Sequence, residues 1–247
     1  MTPRLSIVTA CYNHAHFLAE CIASVRSQTE SSIEHIIVID GATDDSLAVA
    51  HAQTSDDERA TVWDNRTNRG LAASLNFGIS IARAPWVMKV DADDRIAATY
   101  VEEILRAAED DPRRNIIFSP AQHFGNRTDT YRYPPFDPRR MIDVLMIAGC
   151  AAIRRELWAA AGGYDETMRI AEDWDLQIRA HLIRGLVPHQ LPAPLWFYRV
   201  HDGPRMSTLG KARVSDLRTY WRGHTPETVL TRSRSWGDWC EARGLAA

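Results

Sequence analysis

The chain has 247 residues, 45% of them hydrophobic and 25% charged, enough to bury a substantial core in one large domain or in one domain with an appendage. Its formal net charge of −3 argues against a dedicated nucleic-acid binder, which would carry a strong basic excess. No apolar run approaches the roughly 18 residues of a membrane span, the N-terminus lacks a signal-peptide pattern, and Cys11, Cys21, Cys150 and Cys240 form neither a CxxC pair nor a zinc spacing, so reduced thiols in a cytoplasmic protein are expected.

The first half alternates strand and helix signals. "LSIVTACY" is a short apolar strand. After Asn13, a candidate N-cap, Phe17, Leu18, Cys21, Ile22 and Val25 recur at helical spacing. "EHIIVID" is apolar on both faces, as suits a parallel strand covered on both sides. "GATDDS" turns into a helix through Leu47 and Ala50, "ATVWDN" is a third strand, and Leu71, Leu75, Ile79 and Ala82 give a helix from Gly70. "WVMKV" is a fourth strand and runs straight into Asp91, Asp93 and Asp94. "TYVEEILRAAEDD" and "NIIFS" add a helix and a strand. This β-α alternation predicts an α/β fold with a mostly parallel central sheet and helices on both faces. Ligands of such sheets bind beyond the C-terminal ends of the strands, where Tyr12, Asp40 and Asp91 are expected.

The second half is less regular. Tyr131 to Pro138 reads as a loop, "RRMIDVLMIAG" as a helix and "CAAIR" as a short strand. "RELWAAAGG" is a helix ended by Gly162 and Gly163. "EDWDLQIRAHLIRG" is helical and "PLWFYRV" a strand. From Lys211 the chain reads as helical again, with seven basic residues against four acidic ones.

Three aspartates within four positions repel one another and need compensation. A solvated turn capping the next helix would supply it. So would a divalent cation: Asp91 and Asp93, one residue apart at a strand end, can reach one hard cation together with sugar or phosphate oxygens, the chemistry of Mg²⁺ and Mn²⁺.

The ordered set "SIVTACYNHAHFLAECIASVRSQT", "EHIIVIDGATDDS", "NRGLAASLNFGISIARAPWVMKVDADD", "GGYDE" and "EDWDLQIR" resembles the family 2 inverting glycosyltransferases, which have the GT-A fold, over about residues 4 to 203. The resemblance implies a GT-A-like domain over residues 1–205, with a nucleotide-sugar-binding half at 1–119, an acceptor half at 120–205, and a helical extension at 206–247. It implies that Thr9 and Tyr12 at the first strand end, with Asp40, hold the nucleotide base. Tyr12 would stack on it and Asp40 accept from a ring N–H, which favours a uridine diphosphate sugar. The sequence departs from the frequent "DDGSTD" pattern at Ile39 and Ala42, and Asp44 has N-capping as its alternative role. Asn68 and Gly70 match "NxG", a helix start that could face phosphate. Lys89 would contact ribose or phosphate, or pair with an aspartate. Asp91, Ala92 and Asp93 would hold Mn²⁺ or Mg²⁺ and the donor, with His201 of "FYRVHDGPRMS" as a further ligand.

The same resemblance makes Asp173 of "AEDWDLQIR" the base facing the acceptor hydroxyl, with Asp175 structural and Glu172 holding the loop or the acceptor. Arg199 or Arg205 would add positive charge. The expected function is transfer of a sugar from a nucleoside-diphosphate sugar to a glycan, lipid-linked or small-molecule acceptor. The basic C-terminal segment, with Trp221, Trp236 and Trp239, would suit contact with a membrane surface. Two alternatives are a sugar nucleotidyltransferase, which would want a glycine-rich loop that "TACYNHAHF" lacks, and a catalytically silent nucleotide-binding scaffold.

Overall fold

The computed structural model describes residues 2–141, 143–168 and 170–201. The predicted alternation forms: β1 (Leu5–Cys11), α1 (Ala15–Arg26), β2 (Ile33–Ile39), α2 (Ser46–Thr54), β3 (Ala60–Asp64), α3 (Leu71–Ser80) and β4 (Trp86–Lys89) follow in order. Then come β5 (Arg95–Ile96), α4 (Tyr100–Asp110), β6 (Ile116–Phe118), β7 (Ala121–Gly125), β8 (Thr130–Tyr131), β9 (Ala152–Arg154), α5 (Arg155–Ala160), α6 (Glu172–Arg184), β10 (Pro188–Gln190) and β11 (Trp196–Val200).

The main sheet has the order β10-β6-β9-β4-β1-β2-β3. All neighbours run parallel except β9, which is antiparallel to both β4 and β6. A second sheet, β5-β11-β7-β8, holds β11 parallel to β7 and antiparallel to β5. The main core includes Leu5, Ile7, Val8, Ile36, Val38, Leu75, Ile79, Val87 and Met88, all nearly inaccessible. A smaller cluster of Cys11, Leu18, Ile22, Ile37, Ile39, Ala50 and Ala92 joins α1 and α2 to the strand ends. Gly78 lets α3 lie close on β1, since a Cβ there would stand 2.4 Å from Val8 Cγ1. Among the described residues no helix is long and apolar enough to cross a membrane.

Three local expectations need correction. Asn13 is not the N-cap of α1: it takes a left-handed conformation (φ 57°), and its Oδ1 accepts from the Thr43 N–H at 2.7 Å. Asp44 does that job, accepting from the Ala15 N–H at 2.9 Å and the Ser46 N–H at 3.0 Å, so one carboxylate serves the starts of both α1 and α2. The helix expected over "RRMIDVLMIAG" does not form in its described residues. A single 3₁₀ turn, Pro138–Arg140, precedes irregular chain. Met141, Met146, Ile147 and Ala148 are all buried there, with carbonyls taken by α6 side chains: Trp174 Nε1 donates to the Met141 carbonyl at 2.6 Å and Gln177 Nε2 to that of Ala148 at 3.4 Å. The Tyr131–Pro138 loop begins inside β8. The C-terminal extension, with Arg205, Cys240 and Trp221, Trp236 and Trp239, lies outside the described residues. Cys11, Cys21 and Cys150 are buried free thiols, as expected.

Candidate active site

The three aspartates follow β4 and sit in three different surroundings. Ala92 between them is 3% exposed and packs into the smaller core cluster, which leaves Asp91 and Asp93 partly open at the mouth. Lys89 shares the strand face of Asp91 two residues on, and its Nζ lies 3.3 Å from Asp91 Oδ1. Asp93 Oδ2 is 3.1 Å from His201 Nε2, just beyond β11. Asp94 is buried and takes the Trp196 indole N–H and the Arg199 backbone N–H, both at 2.8 Å. Burial, then the neighbouring Asp93 and Asp91, push the Asp94 carboxyl well above the usual carboxylate range, and those two donors only partly oppose them. The charge concentration is therefore compensated one residue at a time.

Arg199 ties β11 to this turn from a second direction. Its Nε donates to the Asp93 carbonyl at 2.6 Å, and its guanidinium pairs with Glu20. The guanidinium also lies 4.4 Å from the Phe17 ring centre and 4.3 Å from that of Phe124. His201 lies against Phe17, ring centres 5.0 Å apart.

Helix α6 closes the site from the other half of the chain. Lys89 Nζ is 3.0 Å from Glu172 Oε1, a buried pair linking β4 to the first turn of α6. Burial disfavours the Lys89 ammonium, but Asp91, Glu172 and Asp173 outweigh it and hold its pKa well above the ordinary lysine value. Asp173 comes next. Burial and the adjacent Glu172 push its pKa up to about 6, against the opposing pull of Lys89. Gly149 makes room for it: a Cβ there would stand 2.4 Å from Asp173 Oδ2 and 3.6 Å from Lys89 Cε. Ala171, immediately before α6, is left-handed (φ 57°), a costly conformation for a residue with a Cβ and a sign that the approach to Asp173 is tightly constrained. Asp175 points away and pairs with Arg179 at 2.8 Å, both buried.

The residues expected at the base fall into two groups. Tyr12 is 47% exposed at the mouth, free of the core. Thr9 and Asp40 face inward. Thr9 Oγ1 is buried 3.0 Å from His35 Nε2, because the strand alternation turns it under the sheet. Asp40 is 3% exposed: Oδ1 accepts from Asn65 Nδ2 and the Arg69 N–H, and Oδ2 from the Gly70 N–H, each at 2.9 Å. A carboxylate so engaged organises the loop entering α3. Gly70, with φ 93°, also donates to Asn68 Oδ1 at 3.1 Å, so its helix-start N–H is already spoken for by two chain acceptors. Lys89 takes the ion-pair alternative. Sequence reasoning missed Gly149 and the anchoring role of Asp94; neither belongs to a periodic pattern.

Among the described residues no group of three or more His, Cys, Asp or Glu side chains closes into a ready metal cage. The donor chemistry still fits a hard divalent cation: two partly open carboxylates at one strand end and an imidazole 3.1 Å from one of them.

Residues 6–161 match the family described as Glycosyl transferase family 2. A glycosyltransferase of Haemophilus influenzae is 26% identical over 233 residues, covering 91% of this chain and 78% of its own length. The glycosyltransferase GlyG of Streptococcus pneumoniae is 32% identical over 110 residues, 44% of this chain and 36% of that protein. Among solved structures, a fragment of S. aureus TarS in complex with UDP-GlcNAc has a TM-score of 0.72 at 17% identity, over 83% of this chain and 61% of the fragment. The mannosyltransferase PcManGT of Pyrobaculum calidifontis, in complex with GDP-Man and Mn2+, has a TM-score of 0.68 at 17% identity, over 98% of this chain and 76% of its own. The chain thus spans about a third of GlyG and under two thirds of the TarS fragment. Its sheet and helices are those of the GT-A arrangement, and it belongs to glycosyl transferase family 2.

Proposed function

We propose that the protein is a metal-dependent, inverting glycosyltransferase in which Asp173 is the general base and Asp91, Asp93 and His201 hold a divalent cation. The donor is a nucleoside-diphosphate sugar, with uridine diphosphate as first choice and guanosine diphosphate as second. Solved structures similar in fold carry donors of both kinds. Tyr12 offers an exposed aromatic face to the base. The bound cation would neutralise charge on the departing diphosphate. Asp173 takes a proton from the acceptor hydroxyl, whose oxygen attacks the anomeric carbon opposite the leaving group. One base without a nucleophile implies a single displacement and inversion. Residues 1–205 would act as one catalytic domain, with residues 206–247 as an extension.

The observation that carries this reading is the meeting of α6 with the strand-end aspartates: Glu172 pairs with Lys89, Lys89 with Asp91, and Asp173 stands beside them with a pKa of about 6. A base near that pKa is ionised at neutral pH yet still accepts a proton. The test is a panel of nucleoside-diphosphate sugars, scored by thermal stabilisation with and without Mn²⁺, followed by transfer to sugar acceptors and NMR of the product's anomeric centre. Stabilisation that needs Mn²⁺, and an inverted product, are expected. Full transfer in excess chelator, or a product retaining the donor's configuration, would overturn the reading.

A further inference from the structure

Lys89 has no part in the transfer steps above, yet its charged group is buried. Its side chain is 5% exposed, and its Nζ contacts Glu172 Oε1 at 3.0 Å and both oxygens of Asp91 at 3.3 and 3.4 Å. An ammonium removed from water in this way is tolerated only when paired. The converse holds for Asp91. Its side chain is 32% exposed, open enough to reach a ligand, but it is not a bare carboxylate because an internal cation already sits against it. A divalent ion bound to Asp91 would lie within a few ångströms of that ammonium and be repelled by it. Glu172 draws the ammonium towards α6, so the Lys89 charge is shared between the two carboxylates.

We propose that Lys89 is a resident counter-ion which keeps the Asp91–Asp93 pair from binding a divalent ion on its own, so that the ion enters with the diphosphate of the donor. The diphosphate brings the negative charge needed to outweigh the ammonium. Without it, Lys89 occupies the electrostatic place of the metal and preserves the strand-end geometry. This inference rests on the metal-dependent reading above and adds an order of binding to it.

The test is calorimetric titration of Mn²⁺ into the full chain, alone and with saturating UDP or GDP. Wild type should bind Mn²⁺ weakly alone and much more tightly with nucleotide. Lys89→Met should bind Mn²⁺ alone about tenfold more tightly than wild type, because the repelling charge is gone, and should depend less on nucleotide. Glu172→Gln leaves the ammonium to Asp91 alone and should weaken binding of Mn²⁺ alone severalfold. General loosening of the site would weaken both variants; opposite signs mark the counter-ion. If Lys89→Met does not fold, Lys89→Gln decides: tighter binding of Mn²⁺ alone supports the proposal, and unchanged or weaker binding overturns it. Unchanged Mn²⁺ affinity in folded Lys89→Met, or a wild type that binds Mn²⁺ equally well without nucleotide, overturns the role of Lys89 and leaves the metal reading standing. A wild type that binds no Mn²⁺ even with nucleotide overturns both.

Discussion

Asp173 sits where burial and a neighbouring carboxylate raise its pKa to about 6, while Lys89 keeps it from rising further. As the proposed base it would work only when deprotonated, so kcat/KM is expected to fall as pH drops through about 6. A pH–rate profile with no limb near that value would exclude it. Asp173→Asn keeps the side-chain volume but cannot take the proton. It should lower kcat by about 10²–10⁴, while nucleotide affinity measured by calorimetry stays within a few-fold of wild type. Asp175→Asn should not reproduce that split between kcat and affinity, because Asp175 faces Arg179 and not the mouth. Gly149→Ala tests the space beside the base. The new methyl would lie 2.4 Å from Asp173 Oδ2, the free end of a side chain, so the carboxylate turns and the fold survives. Transfer should drop by up to about a hundredfold, as for an ångström-scale misplacement, with an unchanged circular dichroism spectrum.

At the scale of elements, the mouth is assembled by carboxylates that hold loops together. Asp44 joins the starts of α1 and α2, Asp40 holds the loop entering α3, and Asp94 anchors β11 to the turn after β4. Removing Asp40 leaves the Arg69 and Gly70 N–H groups and the Asn65 amide without their carboxylate. Asp40→Ala should therefore cost at least about 2 kcal/mol of stability, from the loss of hydrogen bonds to a charged group, measurable by urea denaturation. A variant as stable as wild type would show that the loop does not need this carboxylate. The aspartate triplet and β11 act as one unit, because two donors of β11 end on Asp94 and a third on the Asp93 carbonyl. His201 reaches Asp93 only because β11 is sewn on in this register.

For the whole molecule, pH should act on stability mainly through buried groups. His35, fully enclosed between β1 and its neighbours, has its pKa pushed down to about 3 by burial, against an ordinary value of 6.5. The unfolded chain takes up a proton near 6.5 that the folded one refuses, so stability falls as pH drops below that value and goes on falling towards 3. Between pH 7 and 5 this group alone should remove about 2 kcal/mol. Glu34 and Asp57, with pKa values held below the ordinary range despite burial, add to the loss at lower pH. Asp173 works in the opposite sense, since its raised pKa favours the folded state as pH falls through about 6. Urea midpoints at pH 7 and 5 measure the sum, and His35→Gln, which can still hydrogen-bond Thr9, should flatten the slope. An equal slope in that variant would show that His35 is not the responsible group.

Periodicity along the chain by itself determined the α/β alternation up to β4 and the placement of Tyr12, Asp40 and Asp91 at strand ends, because those signals are local and the apolar spacing is dictated by each element's own repeat. The ordered motifs carried the family. Only the tertiary structure decided which polar side chains face the mouth. Thr9 and Asp40 occupy the expected positions in the chain, but strand alternation turns Thr9 inward and the loop amides of Arg69 and Gly70 engage Asp40. The irregular path of residues 143–149, the antiparallel insertion of β9 and the two-residue β5 arise from contacts with α6, β4, β6 and β11, partners distant in sequence. The meeting of Asp173 with Lys89 and Asp91 has the same cause: electrostatic pairing through Lys89 and Glu172 acts across 83 residues of chain, and a local pattern cannot carry a contact made at that separation.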